Sequence, residues 1–116
     1  MSRRKVDLES KFQGELIKKI EARFPGAVIL KNDSGYRQGI PDLSIFHGSR
    51  WSILEVKPEY PRPGTDDFEP NQEWYLEYFN KMWFATAVYP GNEEEVLHAL
   101  DTALSPGKSS ARVSQR

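Results

Sequence analysis

The sequence contains no cysteine, which removes disulfide frameworks, thiolate metal sites and cysteine nucleophiles together. Any metal must bind through oxygen or imidazole, and the composition fits a reducing cytoplasm. Also missing is an apolar run near the ~20 residues of a membrane span, and residues 1–5 lead into a charged segment rather than the apolar core of a secretory signal. A soluble, cytoplasmic protein without membrane partners is the expectation. Histidine is scarce: His47 and His98 have no metal-ligand spacing and are expected at a loop tip and on a helix surface. No charge of one sign dominates either, since the formal net charge is −1 and the pI about 6.1, which taken globally argues mildly against a polyanionic partner. The charges are nevertheless segregated. Arg3, Arg4 and Lys5 open the chain and Lys108, Arg112 and Arg116 close it, while Asp66, Asp67, Glu69 and Glu93 to Glu95 form acidic groups, so a local basic surface remains available.

What is present suffices for one folded domain. The chain has 116 residues, of which 38% are hydrophobic and 28% charged, enough to bury a single core and too short for two. No internal repeat is visible. Leu8, Phe12, Leu16, Ile17, Ile20 and Phe24 recur at helical spacing over residues 6–24, and Pro25-Gly26 ends the pattern. Residues 27–31 (AVILK) form a short β-type run, followed by the turn-forming Asn32-Asp33-Ser34-Gly35. Residues 43–46 and 51–57 read as an antiparallel hairpin joined by His47-Gly48-Ser49-Arg50. Residues 58–70 carry Pro58, Pro61, Pro63, Gly64 and Pro70 and are expected to be an exposed excursion. A helix over 71–81, a strand over 83–89 and a helix over 92–104 follow, with a flexible tail from Ser105. The expected order is α-β-β-β-α-β-α, an α/β protein with a mixed sheet of about four strands and flanking helices: a single domain over 1–104 and a tail over 105–116.

The chemistry concentrates on the hairpin. Alternate side chains of an extended strand share a face, so Glu55 and Lys57 project together while Leu54 and Val56 face the other way. Running back across the four-residue loop brings Asp42, of Pro41-Asp42, near the end of the strand that bears Glu55. Two carboxylates and a lysine can then converge. Such a set suits Mg²⁺, a hard cation that prefers oxygen, keeps several waters and takes one or two carboxylates from protein. A Glu-x-Lys tripeptide alone is more often a surface ion pair, and it is the Pro-Asp in plausible hairpin register that favours a site.

Gly39-Ile40-Pro41-Asp42, then Leu54-Glu55-Val56-Lys57, then Gln72 at a helix start, resemble the VRR-NUC branch of the PD-(D/E)XK nucleases over roughly residues 8–88. That resemblance implies a restriction-endonuclease-like fold and a Mg²⁺-dependent endodeoxyribonuclease, with Mn²⁺ as a substitute. It implies Asp42, Glu55 and the Val56 carbonyl as metal ligands, Lys57 as the residue that orients or activates water, and Gln72 as an accessory polar group. Because stand-alone members and the similar Holliday-junction resolvases act as dimers, it further implies a homodimer on branched DNA. The acidic, proline-rich stretch 59–69 departs from the family pattern. A glutamate on the first helix is also implied, and at about 100° per residue Glu9 lies on the apolar arc while Glu15 falls outside it. From physics alone Glu9 is equally well a solvated carboxylate meeting the helix dipole, and the resemblance, through Glu9-x-x-x-Gln13, favours Glu9 as the functional residue.

Lys31, Ser34, Gly35, Tyr36, Arg37 and Gln38 combine cations, a hydroxyl and backbone N–H groups just before Asp42, so Lys31, Ser34, Arg37 and Gln38 are the candidate DNA contacts, although each singly is equally an ordinary turn residue. Asn71 would serve as a helix cap and Gln72 would merely be tolerated in a first turn. The aromatic segment Trp74, Tyr75, Tyr78, Phe79, Trp83 and Phe84 can stack on bases but at helical spacing is expected in the core or a dimer interface. Other functions open to this pattern are a sequence-specific restriction-type endonuclease, a non-catalytic nucleic-acid-binding module and a structural adaptor.

Overall fold

Phe12, Leu16 and Ile20 fall on one stripe of the helix Arg3–Arg23 (α1) and are buried, as is Phe24 just beyond its end, so α1 lies along a sheet with its charged face outward. The computed structural model describes residues 3–105, with side chains from Arg4 onward. The Arg3 side chain, the basic residues Lys108, Arg112 and Arg116, and the tail expected beyond Ser105 therefore lie outside the described residues.

The molecule is an α/β protein with a four-stranded mixed sheet in the order β1-β2-β3-β4, flanked by three helices. Strands Val28–Lys31 (β1), Leu43–His47 (β2) and Arg50–Val56 (β3) form an antiparallel meander, and Ala85–Val88 (β4) joins β3 in parallel after the connection that contains helix Gln72–Met82 (α2). A short 3₁₀ turn, Pro90–Asn92, leads into helix Glu93–Ala103 (α3). α1 begins three residues earlier than periodicity predicts, because its first turns extend past the packed stripe and leave Leu8 exposed.

The sheet has two unequal covers. Leu43, Ile45, Leu54, Val56 and Val88 pack with α1 and α3 in the main core. On the opposite face Ile53, Leu76 and Ala85, with Trp51, Phe68, Phe79 and Ala87 around them, form a smaller cluster under α2. The sheet thus divides the buried apolar residues into two clusters, because the alternating side chains of β3 are apolar on both faces. α2 covers only β3 and β4, and Val28, Leu30 and Phe46 on the same face of β1 and β2 stay exposed.

Residues 58–70 carry no helix or strand and are mostly exposed, as their prolines suggest, but the loop is anchored at a few points. Pro61 is buried, Phe68 packs on the small cluster, and a bidentate Arg62–Asp67 pair at 2.8 and 3.2 Å folds the loop on itself. The Gly64 N–H donates to the Glu73 carboxylate at 3.0 Å, tying the loop to the first turn of α2. Proline forbids helix and ladder here, but it does not forbid packing.

Gly39 carries a separate constraint. Its φ is +88°, and a Cβ added there would lie 2.5 Å from the Pro70 carbonyl oxygen and 2.6 Å from the Asn71 Cβ. Only glycine allows the loop before Asp42 to lie against the start of α2. Gly39→Ala is expected to lower stability by about 1–3 kcal/mol and to part the two segments, seen as a lower melting temperature and faster proteolysis within residues 33–40. An unchanged melt would show that this contact is dispensable.

Candidate active site

The hairpin register sets the site. Leu43 pairs with Leu54, so the next residue back, Asp42, stands opposite Glu55 at the sheet end. The Val56 N–H donates to Asp42 Oδ2 at 2.8 Å, and the Asp42 N–H donates to Glu55 Oε1 at 3.2 Å. An extended residue directs its N–H and C=O to the same side, so the Val56 carbonyl projects toward Asp42 as well. Asn32 fastens the approach to Asp42: its N–H donates to the Asp42 carbonyl at 2.8 Å and its side-chain amide to the Pro41 carbonyl at 2.8 Å.

Glu55 and Lys57 share the α2 face of β3 and are 2% and 7% exposed, the environment in which an ionised side chain needs partners most. Gln72, 8% exposed at the start of α2, supplies them. Its Nε2 donates to Glu55 Oε2 at 2.9 Å, while its Oε1 accepts from Lys57 Nζ and from the Glu69 N–H, both at 2.8 Å. Two donors on the oxygen fix the orientation of the amide. Lys57 Nζ also lies 3.6 Å from Glu55 Oε2 and 5.4 Å from the centre of the Phe68 ring. Gln72 is therefore no passive first-turn residue. Asn71, by contrast, is not a capping side chain: its φ is +73°, it makes no cap hydrogen bond, and its amide reaches the Gln38 carbonyl at 3.5 Å.

Glu9, Ser34, Asp42, Glu55, Lys57 and Gln72 line one polar cavity of about 210 Å³, together with Gly39, Ile40 and Glu69. Burial pushes the Glu55 carboxyl up to about 9, helped by the Asp42 charge and opposed by Lys57. Asp42 is also raised by burial, against the lowering effect of the Val56 N–H and of a hydrogen bond shared with Glu55. Glu9 is raised by burial and then by the charge of Asp42, which ties it electrostatically to the pair. Three carboxyls are thus held where negative charge is disfavoured unless a cation joins them.

The donor set decides which cation fits. Among the described residues no three Asp, Glu or His side chains stand in metal-holding reach of one another. The set is instead two adjacent carboxylates, Asp42 and Glu55, beside the Val56 carbonyl. This fits Mg²⁺ or Mn²⁺, which keep waters and take few protein ligands, better than a closed cage for Ca²⁺ or structural Zn²⁺. It also leaves Glu9 outside this set, on the cavity lining.

The candidate DNA contacts divide. Ser34 lines the cavity, whereas Lys31, Arg37 and Gln38 are exposed outside it. Arg37 Nη1 lies 3.3 Å from the Tyr75 hydroxyl. Glu15 is exposed and does not line the cavity, and neither histidine does: His47 Nδ1 lies 3.0 Å from the Leu104 carbonyl oxygen at the end of β2, and His98 is exposed on α3. Sequence reasoning missed Glu69, Asn32 and Phe68. Glu69 belonged to a recognised acidic group, but nothing local indicated that the loop folds back. No family model, no curated protein and no solved structure matches the chain.

Proposed function

We propose that this protein is a metal-dependent DNA endonuclease of the PD-(D/E)XK type, restriction-endonuclease-like in fold, that hydrolyses phosphodiester bonds. One observation carries the reading: Asp42, Glu55 and Lys57 meet at a single polar cavity, with Gln72 bridging the lysine to the glutamate. Asp42, Glu55 and the Val56 carbonyl would hold Mg²⁺, with Mn²⁺ as a substitute. The cation supplies Lewis acidity toward a phosphate oxygen and makes water a better nucleophile near neutral pH. Lys57, fixed by the Gln72 carbonyl oxygen, offers its remaining N–H donors to the attacking water and to the charge that grows on the phosphate. Hydrolysis joins the water oxygen to phosphorus and breaks one P–O ester bond, and the leaving oxygen takes a proton. Glu9, whose carboxyl is raised by burial and by the Asp42 charge, is the group nearest in kind to a proton donor or to an anchor for a second water. Ser34, Lys31, Arg37 and Gln38 approach the backbone on the cavity's loop side.

The substrate proposed is branched DNA, with a homodimer as the working form, since two strands need two centres and symmetric pairing supplies them. The exposed Val28, Leu30 and Phe46 offer an apolar surface for the second copy. Four-way, flap, duplex and single-stranded DNA incubated with and without Mg²⁺ test the reading, alongside sedimentation at micromolar concentration. Discrete Mg²⁺-dependent cuts in branched DNA are expected, and no cleavage of any substrate would refute it.

Glu9→Gln is expected to slow cleavage about tenfold or more, with Glu15→Gln near wild type and both proteins folded. The reverse order would move the accessory acid to Glu15.

A further inference from the structure

The helix that delivers Gln72 to the cavity carries a row of rings in the open immediately after it. Trp74 and Tyr78 are one turn apart, lie within 8° of parallel with centroids 5.2 Å apart, and are 57% and 51% exposed. Tyr75 stands edge-on to Trp74 at 5.0 Å, and its hydroxyl meets the Arg37 guanidinium. The same guanidinium lies 5.9 Å over the ring of Tyr36, which is 84% exposed. One cation, Arg37, therefore stands between the rings of Tyr36 and Tyr75, and the row of rings continues from Tyr75 to Trp74 and Tyr78. The row begins at the cavity, because the loop that carries Arg37 also supplies Ser34 and Gly39 to its lining, and α2 supplies Gln72.

We propose that this row is a track for unpaired nucleobases, on which the strand entering the cavity stacks its bases against Trp74 and Tyr78 while Arg37 pairs with its backbone phosphate. The inference rests on the nuclease reading and names its substrate class: DNA with an unpaired stretch beside the scissile bond. Stacking on exposed rings tolerates any base, since every base has a π-face, and each nucleotide brings one phosphate for a neighbouring cation. The apolar face of a protein partner would satisfy the rings and leave Arg37 without a counter-charge. Direction follows from the flanks. Glu73 and Glu77 lie about 100° round the helix from Trp74 and Tyr78, on the side away from Tyr75, so the phosphates must run on the Arg37 side with the bases turned toward the rings. Inside a duplex the bases present no free face, so the track discriminates by strand state and not by sequence.

The test separates binding from chemistry. Wild-type protein in EDTA is titrated against a fluorescein-labelled oligothymidylate and against a blunt duplex of equal length, followed by anisotropy. The double variant W74A/Y78A is expected to weaken oligothymidylate binding about 5- to 100-fold and to leave duplex binding unchanged, whereas W74F/Y78F binds like wild type. Oligothymidylate should quench tryptophan emission in the wild type and lose most of that effect in W74F, where Trp51 and Trp83 remain. Both side chains are largely exposed, so circular dichroism should report folded variants. Equal affinity of W74A/Y78A and wild type for oligothymidylate would overturn the track. So would an equal loss on both probes, or a dimer that becomes a monomer with base affinity unchanged, which would assign the face to a second copy. Mg²⁺-dependent cleavage measured on the same preparations keeps the two readings apart. Intact cleavage with no stacking effect refutes the track alone, and stacking without cleavage refutes the nuclease and leaves the track.

Discussion

Asp42→Asn and Glu55→Gln should each lower Mg²⁺-dependent DNA cleavage by roughly 10²–10³-fold or more while leaving the fold intact. Each change removes a charge from the proposed metal pair with little change in volume, and keeps at least one of that group's hydrogen bonds. In Asp42→Asn the new amide oxygen can still accept from the Val56 N–H, and in Glu55→Gln the new amide oxygen can accept from the Asp42 N–H or from Gln72. Fold and chemistry thereby separate, which truncation to alanine at a buried position would not achieve. Cleavage of labelled branched DNA, read beside thermal melts, checks both parts. Near-normal turnover in either variant would show that the two carboxyls are not the centre. Lys57→Ala should reduce turnover more than DNA affinity, and equal losses in both would recast Lys57 as a binding residue.

The stability of the metal-free protein should fall as pH rises from about 5 to 9, and divalent cation should reverse that fall. The Glu55 carboxyl is raised from 4.5 to about 9, so the folded state binds its proton more tightly than the unfolded chain does. Its contribution is fully present below pH 4.5, declines through the interval, and is exhausted above 9. At pH 7 the loss from Glu55 is about 3 kcal/mol. Glu9 and Asp42, also raised, act in the same direction, while Asp67 and Asp101, lowered by Arg62 and Arg23, act oppositely and only at the acid end. Glu55→Gln should therefore stabilise the metal-free protein at neutral and alkaline pH and flatten the slope. A cation at Asp42 and Glu55 must displace the Glu55 proton, so Mg²⁺ affinity should rise by about tenfold per pH unit between roughly 6 and 8.5. Calorimetry in two buffers of different ionisation enthalpy reads the released proton directly. An Mg²⁺ affinity independent of pH, or a Glu55→Gln melt with the wild-type slope, would contradict this linkage.

The hairpin was the most legible part of the chain. Alternation places Glu55 and Lys57 on one face and Leu54 and Val56 on the other, and the observed cores divide at those same positions. The apolar spacing of Phe12, Leu16, Ile20 and Phe24 likewise indicates which side of α1 is buried. Leu8 broke the pattern, because periodicity reports the phase of a stripe and says nothing about where the neighbouring surface ends. Residues 58–70 are irregular and mostly exposed as their prolines indicate, and only their anchoring points were hidden. Proline content excludes regular structure, but the packing of Pro61 and Phe68 depends on surfaces built by β3, β4 and α2.

Sequence alone determined the strand-end pairing of Asp42 with Glu55 and the shared face of Glu55 and Lys57. Both follow from the two-residue period of a strand and a short hairpin loop, which are properties of backbone geometry over a few residues. Tertiary structure decided that Glu9 joins the cavity and Glu15 does not, that Gln72 bridges Lys57 and Glu55, that Glu69 comes to the cavity lining, and that Arg37 reaches Tyr75. Those contacts join segments many residues apart. They depend on how α1, α2 and the 58–70 loop settle on the sheet, and packing energy summed over the whole core sets that arrangement where no local period can.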